Sequence, residues 1–373
     1  MTEPVIYETL AAGNGKAIGV ATLNAEKKLN SLNLDMVMSL LERLPRWEQD
    51  DSISCIWLQG AGERAFCAGG DVLWLREQML KPRDQALPGL QSFFENEYRL
   101  DYLIHRYRKP ILCWGQGIVM GGGTGLMSGA SHRIVTEASR IAMPEISIGL
   151  YPDVGGTWFL NHAPGRTGLF LGLTGANFNA ADALFVGMAD RFVASEHKQA
   201  LQDSLCQQEW SDSLAQNHSL VNNLLRRFEE KGQLPASKVR EHYDLIQDLT
   251  DGDTAPQVVD NILSLDTDDA WLQKAAATLK VGCPTSAHLV FQQRVRGSKL
   301  SLPEVFQMEL VMALQCGLHP DFKEGVRALL VDKDGAPNWT YPSVAEVEPG
   351  WVEEHFVPPW PDGVNPLQDL GKP

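Results

Sequence analysis

Two carboxylates stand in an otherwise apolar, glycine-rich stretch: Glu145 and Asp153 in "AMPEISIGLYPDVGGTWFL", residues 142–160. In such surroundings desolvation raises a carboxyl's pKa and brings proton transfer within reach of neutral pH. Local sequence equally allows Glu145 to cap a helix and Asp153 to fix a Pro-Asp turn. Two further stretches offer groups with which such acids could work. "GQGIVMGGGTGLMSG" (115–129) follows the apolar run Ile111-Leu112-Cys113-Trp114, and "ERAFCAGGDV" (63–72) places a strand, an Ala-Gly-Gly turn and a helix start in succession. Glycine costs a helix interior roughly 1 kcal/mol against alanine, so its density here implies that something approaches bare backbone. A helix start leaves amide N–H groups without intrahelical partners, and two such donors aimed at one oxygen make an oxyanion hole. Close packing of a helix on a sheet is the other use of these small residues.

Competing chemistries find little support. A phosphate-gripping loop needs Gly-Lys-Ser or Gly-Lys-Thr, and neither occurs; the dinucleotide fingerprint fails at Met120 and again at Leu126. There is no Gly-x-Ser-x-Gly elbow, no His-Glu-x-x-His and no compact Cys-His group. Cys67 reads as core at a strand end, and His132 as structural. The six cysteines are scattered without metal-ligand spacing, so no metal is expected and the thiols read as reduced. Together with a start, "MTEPVIYETL", that is neither a secretory signal nor an Arg-rich transit peptide, this gives a cytoplasmic expectation. Lys plus Arg is 32 against 47 Asp plus Glu, so the net charge of −15 opposes general binding to nucleic acid. No apolar run approaches the ~20 residues that span a bilayer.

The elements that must position these groups change texture near residue 200. Before it, strands are expected at Val5–Thr9, Ile18–Leu23, Ile53–Leu58, Pro110–Trp114, Ile134–Thr136 and Arg191–Val193, with "AAGNGK" as a hairpin turn. Helical spacing marks Leu34–Trp47, with a kink or stop at Pro45, and Ser92–Tyr107. After it the pattern is helical, as in Glu196–Gln208, Ser219–Glu230, Ser237–Leu249, Thr285–Arg296 and Leu302–Cys316. The expected division is an α/β core over 1–200, a helical region over 201–345 and an irregular tail over 346–373.

Together, "FCAGGDV", "GQGIVMGGGTGL" and "MPEISIGLYPDVGGTWFL" resemble the crotonase (enoyl-CoA hydratase/isomerase) superfamily, in the order that family has them. The resemblance implies an α/β fold, a superhelix of ββα turns, that binds an acyl-CoA thioester carbonyl through two peptide N–H groups. Matched by position, those donors would be Ala68 and Gly122. Coenzyme A would lie along Ala68, Gly69, Gly70 and Asp71 and near Lys28 and Leu29 in "KKLNSL", with Lys27, Lys28 and Arg64 as candidates for its phosphates. It enters as part of the substrate, so no separate cofactor is implied, and a homo-oligomer is compatible with the family.

One departure bears on the reaction. Hydratases of this family carry a glutamate two residues after the glycine triplet, where this chain has Gly125; the second hydratase glutamate falls on Glu145. Asp153 in "YPDVGG", with "PTSAHLVFQQ" (284–293) and "DFKEGVRALLVDKDGAPNW" (321–339), instead resembles the 3-hydroxyisobutyryl-CoA hydrolase branch, whose helical C-terminal region is extended. The implied activity is hydrolysis of a short 3-hydroxyacyl-CoA in valine breakdown. Glu145 would attack the carbonyl or activate a water, Asp153 would orient substrate and assist proton transfer, and Glu97 in "FFENEY" would accept a hydrogen bond from the 3-hydroxyl. The alternatives are a lyase or isomerase acting on enoyl-CoA, and a CoA-ester binder without turnover.

Overall fold

The computed structural model describes residues 3–372 and divides them into two compact units interleaved along the chain. The first runs to Gly70 and resumes over Leu100–Ile141 and Phe178–Ser237; the second takes Asp71–Arg99, Ala142–Asn177 and the chain from Lys238 on. These units cut across the division expected at residue 200.

In the first unit the β-branched runs form β1 (Val5–Ala11), β2 (Ala17–Leu23), β3 (Ile53–Gly60), β4 (Ala65–Cys67), β5 (Ile111–Gly115), β6 (Ile118–Met120), β7 (His132–Val135), β8 (Arg140–Ala142) and β9 (Arg191–Phe192). A six-stranded sheet has the order β1-β2-β3-β5-β7-β9, and a smaller one the order β4-β6-β8. The β1–β2 pair is antiparallel, closed by the turn at Asn14 (φ 62°); β2, β3, β5, β7 and β9 pair in parallel. After β1 and β2, the pairs β3/β4, β5/β6 and β7/β8 each leave one member in each sheet before the chain turns into helical structure, which is the ββα repeat the resemblance implied.

Helix α1 (Leu34–Gln49) begins where the Asn33 side chain accepts the Met36 N–H at 2.9 Å, and buries Met36, Val37, Leu40, Leu44 and Trp47 at helical spacing. It runs through Pro45 instead of stopping there. The core joins Ile18, Val20, Trp57, Trp114 and Ile134 of the large sheet to Leu201, Leu205, Val221, Leu224 and Leu225. The last five lie on helices Lys198–Cys206 and Leu214–Phe228. The first helices beyond residue 200 thus complete the α/β core, because they cover an apolar sheet face.

The second unit is helical. It contains α2 (Val72–Met79) and the part of α3 (Arg83–Arg106) up to Arg99, a helix that starts earlier than its apolar spacing indicated and passes Pro88. The helix expected over Ser237–Leu249 is broken at His242 into Lys238–Glu241 and Tyr243–Leu249. The segment from 346 on is more ordered than its composition suggests. Helix Pro349–Glu354 and a 3-10 turn at Pro366–Asp369 form there, and the Arg99 guanidinium grips both Asp369 carboxylate oxygens at 3.0 Å. Among the described residues no helix is long and apolar enough to cross a membrane.

Candidate active site

Two glycine turns come together in the first unit. Helix α4 (Gly122–Gly129) starts directly after β6 through Gly121, whose φ of 49° with ψ of −123° only glycine adopts without strain. A Cβ on Gly123 would lie 2.3 Å from the Cys67 carbonyl oxygen, so the bare backbone of α4 packs on the end of β4. A Cβ on Gly69 would stand 3.5 Å from the Met120 oxygen, which places the Ala68–Gly70 turn against the same entrance to α4. The small residues therefore do serve close packing, and that packing brings the two turns side by side.

The amides of these turns are not equivalent. Ala68 donates its N–H to the Leu29 carbonyl at 3.0 Å, so the donor assigned to it by position is already engaged. Gly70 and Gly122 donate to no other group among the described residues. The segment around "KKLNSL" is tied to the same turn: Leu29 accepts from Ala68, and Leu32 donates to the Gly69 oxygen at 2.8 Å. Buried Asn30 sends its side-chain amide to the Ala61 and Ala65 oxygens, both at 2.9 Å, which fixes the segment against β4. Lys27, Lys28 and Arg64 are exposed, and Asp71 caps α2 by accepting the Trp74 N–H at 3.2 Å. Gly125 is buried on α4 and brings no carboxyl to it. Cys67 is buried core, and His132, stacked on His218 at 5.4 Å and pushed down to about 4 by burial, is neutral and structural.

The acids gather in the second unit. Glu97 on α3, Glu145 at the head of the 3-10 turn Glu145–Ile148, and Asp153 are all buried, at 2%, 5% and 5% exposure, and act on one another electrostatically. Burial pushes Glu145 well above the usual carboxyl range, and Asp153 and Glu97 push it further. Glu97 is raised by burial and by Asp153. Asp153 rises only to about 7: burial lifts it, while the Tyr98 hydroxyl, donating to its Oδ2 at 2.9 Å, favours the charged form. Tyr98 thus favours a charge on Asp153, and a charge there disfavours one on Glu97 and Glu145. Glu145 Oε2 and Glu97 Oε1 are buried with no hydrogen-bond partner among the described residues. An unpaired buried polar atom is costly, so each is poised for a group brought in from outside.

Sequence reasoning missed Tyr98 as a partner of Asp153 and Glu309 altogether. Glu309, fully buried on the helix Leu302–Leu318, accepts the Gly155 N–H at 2.7 Å and the Thr157 N–H at 2.8 Å. A carboxylate inside an otherwise apolar helical run was the available signal; its partners lie some 150 positions away in the chain.

Comparison with known proteins follows the same lines. The family model described as enoyl-CoA hydratase/isomerase matches residues 18–356. The chain belongs to the enoyl-CoA hydratase/isomerase family. The mitochondrial 3-hydroxyisobutyryl-CoA hydrolase of Danio rerio is 38% identical over 94% of this chain and 89% of its own length. The Homo sapiens protein of that name is 35% identical over 91% and 86%. Among solved structures, a carnitinyl-CoA dehydratase from Mycobacterium thermoresistibile superposes with a TM-score of 0.85 at 34% identity, covering 100% of both chains. An enoyl-CoA hydratase from Rhodobacter sphaeroides gives 0.82 at 31% identity, over 95% of this chain and 97% of that one. The chain has the crotonase fold expected here. The relatives' mitochondrial names overturn the cytoplasmic expectation. Reduced thiols, on which it rested, do not separate one reducing compartment from another.

Proposed function

We propose that the protein hydrolyses the thioester of a short 3-hydroxyacyl-CoA, 3-hydroxyisobutyryl-CoA foremost, to 3-hydroxyisobutyrate and free CoA, a step of valine breakdown. The acid cluster carries the reading: Glu145 keeps a buried oxygen without a partner beside two further carboxyls, while α4 offers none at Gly125. The names of relatives 34–38% identical support the same substrate.

In this reading the Gly70 and Gly122 amides donate to the thioester carbonyl oxygen as it becomes anionic. Glu97 Oε1 accepts the 3-hydroxyl hydrogen. Asp153, whose charged form Tyr98 favours, takes a proton from Glu145, leaving a Glu145 carboxylate. That carboxylate follows one of two routes. It adds to the carbonyl carbon, the C–S bond breaks with its electron pair on sulfur, and water then hydrolyses the mixed anhydride; or it removes a proton from a water that adds directly. Either way one water is consumed, the acyl group leaves as a carboxylate, and the CoA thiolate recovers a proton from the cluster. Coenzyme A, lying along Lys28, Leu29 and the Ala68–Asp71 turn, enters as part of the substrate, and no separate cofactor takes part.

A lyase reading draws on the hydratase and dehydratase titles of the structural neighbours. The two readings part in one assay: mixing with 3-hydroxyisobutyryl-CoA releases thiol that a disulfide reagent detects. A change in enoyl absorbance without thiol would overturn the hydrolase reading. Glu145→Gln should lower thiol release by roughly 10²–10⁴-fold and leave CoA-ester affinity within a few-fold of the parent.

A further inference from the structure

Asp153 sits at the first position of a turn that the chain does not favour. The Gly156 N–H donates to the Asp153 oxygen at 2.7 Å, with Val154 at φ 53° and Gly155 at φ 84° between them. Positive φ at both central positions is the type I′ arrangement, which glycine and asparagine tolerate and a β-branched residue does not. Val154 is buried, so solvent does not ease the conformation. Something must hold it.

We infer that Glu309 is a positioning residue for the reaction, its carboxylate bridging the Gly155 and Thr157 amides to clamp the strained turn that presents Asp153. The inference rests on the hydrolase reading and deepens it. Both carboxylate oxygens are used, one on the turn and one on the first turn of the helix α5 (Gly156–Asn161), so the bridge spans the junction. The clamp is braced from its own side. The Tyr151 hydroxyl donates to the Glu309 carbonyl at 2.5 Å. Gln293 donates to the Pro152 oxygen and lies 2.7 Å from the Thr157 hydroxyl. Phe306, one helical turn before Glu309, lies 5.7 Å from the Tyr98 ring and 3.3 Å from where a Gly155 Cβ would stand. One helix face therefore sets both Asp153 and the tyrosine bonded to it.

Glutamine keeps the size of Glu309 but can accept only through its oxygen, so Glu309→Gln turns one bridge bond into two opposed donors. In folded protein, checked by circular dichroism and thermal melting, Glu309→Gln should lower kcat for 3-hydroxyisobutyryl-CoA on the order of 10²-fold with KM changed less than about threefold. Adding Val154→Gly, which removes the strain, should recover on the order of tenfold of that loss. A merely structural Glu309 would lower the melting temperature and leave kcat per folded molecule at the parental value, and that result, or a loss that Val154→Gly does not relieve, overturns the inference. If Glu309→Gln does not fold, Tyr151→Phe removes only the brace and should lower kcat roughly threefold to tenfold; an unchanged kcat again overturns it. Parental protein that releases no thiol would sink the hydrolase reading itself, a different result from active parent with an equally active variant.

Discussion

At the scale of single residues, burial makes three ordinary carboxyls unlike one another. Tyr98 favours a charge on Asp153, whereas nothing among the described residues hydrogen-bonds Glu145 Oε2 or Glu97 Oε1. The first acid is therefore a proton store and the other two carry unsatisfied acceptors. For Glu97 this gives a specificity test. A site built to accept a substrate hydroxyl discriminates against analogues that lack it, because its buried acceptor is left unpaired. Isobutyryl-CoA, which lacks only the 3-hydroxyl, should be hydrolysed with lower kcat/KM than 3-hydroxyisobutyryl-CoA by the parent. Glu97→Leu, which keeps the approximate size but has no acceptor, should shrink that ratio by roughly 10-fold, as expected for one buried hydrogen bond left unmade. A ratio that does not move assigns the hydroxyl to another group.

At the scale of elements, glycine decides how closely α4 approaches β4. Replacing Gly123 by alanine would put a methyl 2.3 Å from the Cys67 carbonyl, a backbone atom that no rotamer change can move. Overpacking of this kind costs about 1–3 kcal/mol, and any relief shifts the start of α4 and the Gly122 amide with it. Gly123→Ala should lower the denaturant midpoint and depress kcat together, while Gly129→Ala, at the other end of α4 with its closest neighbour at 3.1 Å, should depress kcat less. Equal kcat losses would detach the entrance of α4 from catalysis. These contiguous stretches were legible in the sequence because each packs a strand end, a turn and a helix start into about ten residues. What was not legible is instructive. Ala68 and Gly70 look alike in a Gly-rich turn, and only the bond that the Ala68 N–H donates to the Leu29 carbonyl shows which amide is spent. Glu309 and Asp153 are joined by folding, not by spacing, so no local pattern pairs them. The division at residue 200 failed for a related reason: helices Lys198–Cys206 and Leu214–Phe228 read as a helical region, yet their apolar faces complete the sheet's core.

At the scale of the whole molecule, the buried acids tie stability to pH. Asp153 holds its proton to about 7 in the folded chain because burial disfavours the anion, whereas an unfolded carboxyl releases its proton near 4. Between those values the native state binds more protons than the unfolded one, so stability falls as pH rises. The contribution is whole below about pH 4 and is lost as pH climbs through about 7, at up to about 1.4 kcal/mol per pH unit. Glu97 and Glu145, raised by burial, act in the same sense. Other groups act elsewhere: Asp269, held low by Lys238, matters only in acid. His132 and His355, pushed down to about 4 by burial, act in the opposite sense below about 6.5, and unfolded thiols ionise above about 8.5. The interval from pH 6.5 to 8 thus isolates the carboxyls. Denaturant unfolding across it should show the parent losing stability with rising pH and Asp153→Asn losing less, since asparagine has no proton to surrender. If parent and Asp153→Asn gave parallel lines, Asp153 would be ionised throughout the interval, and burial would not be holding a proton on it.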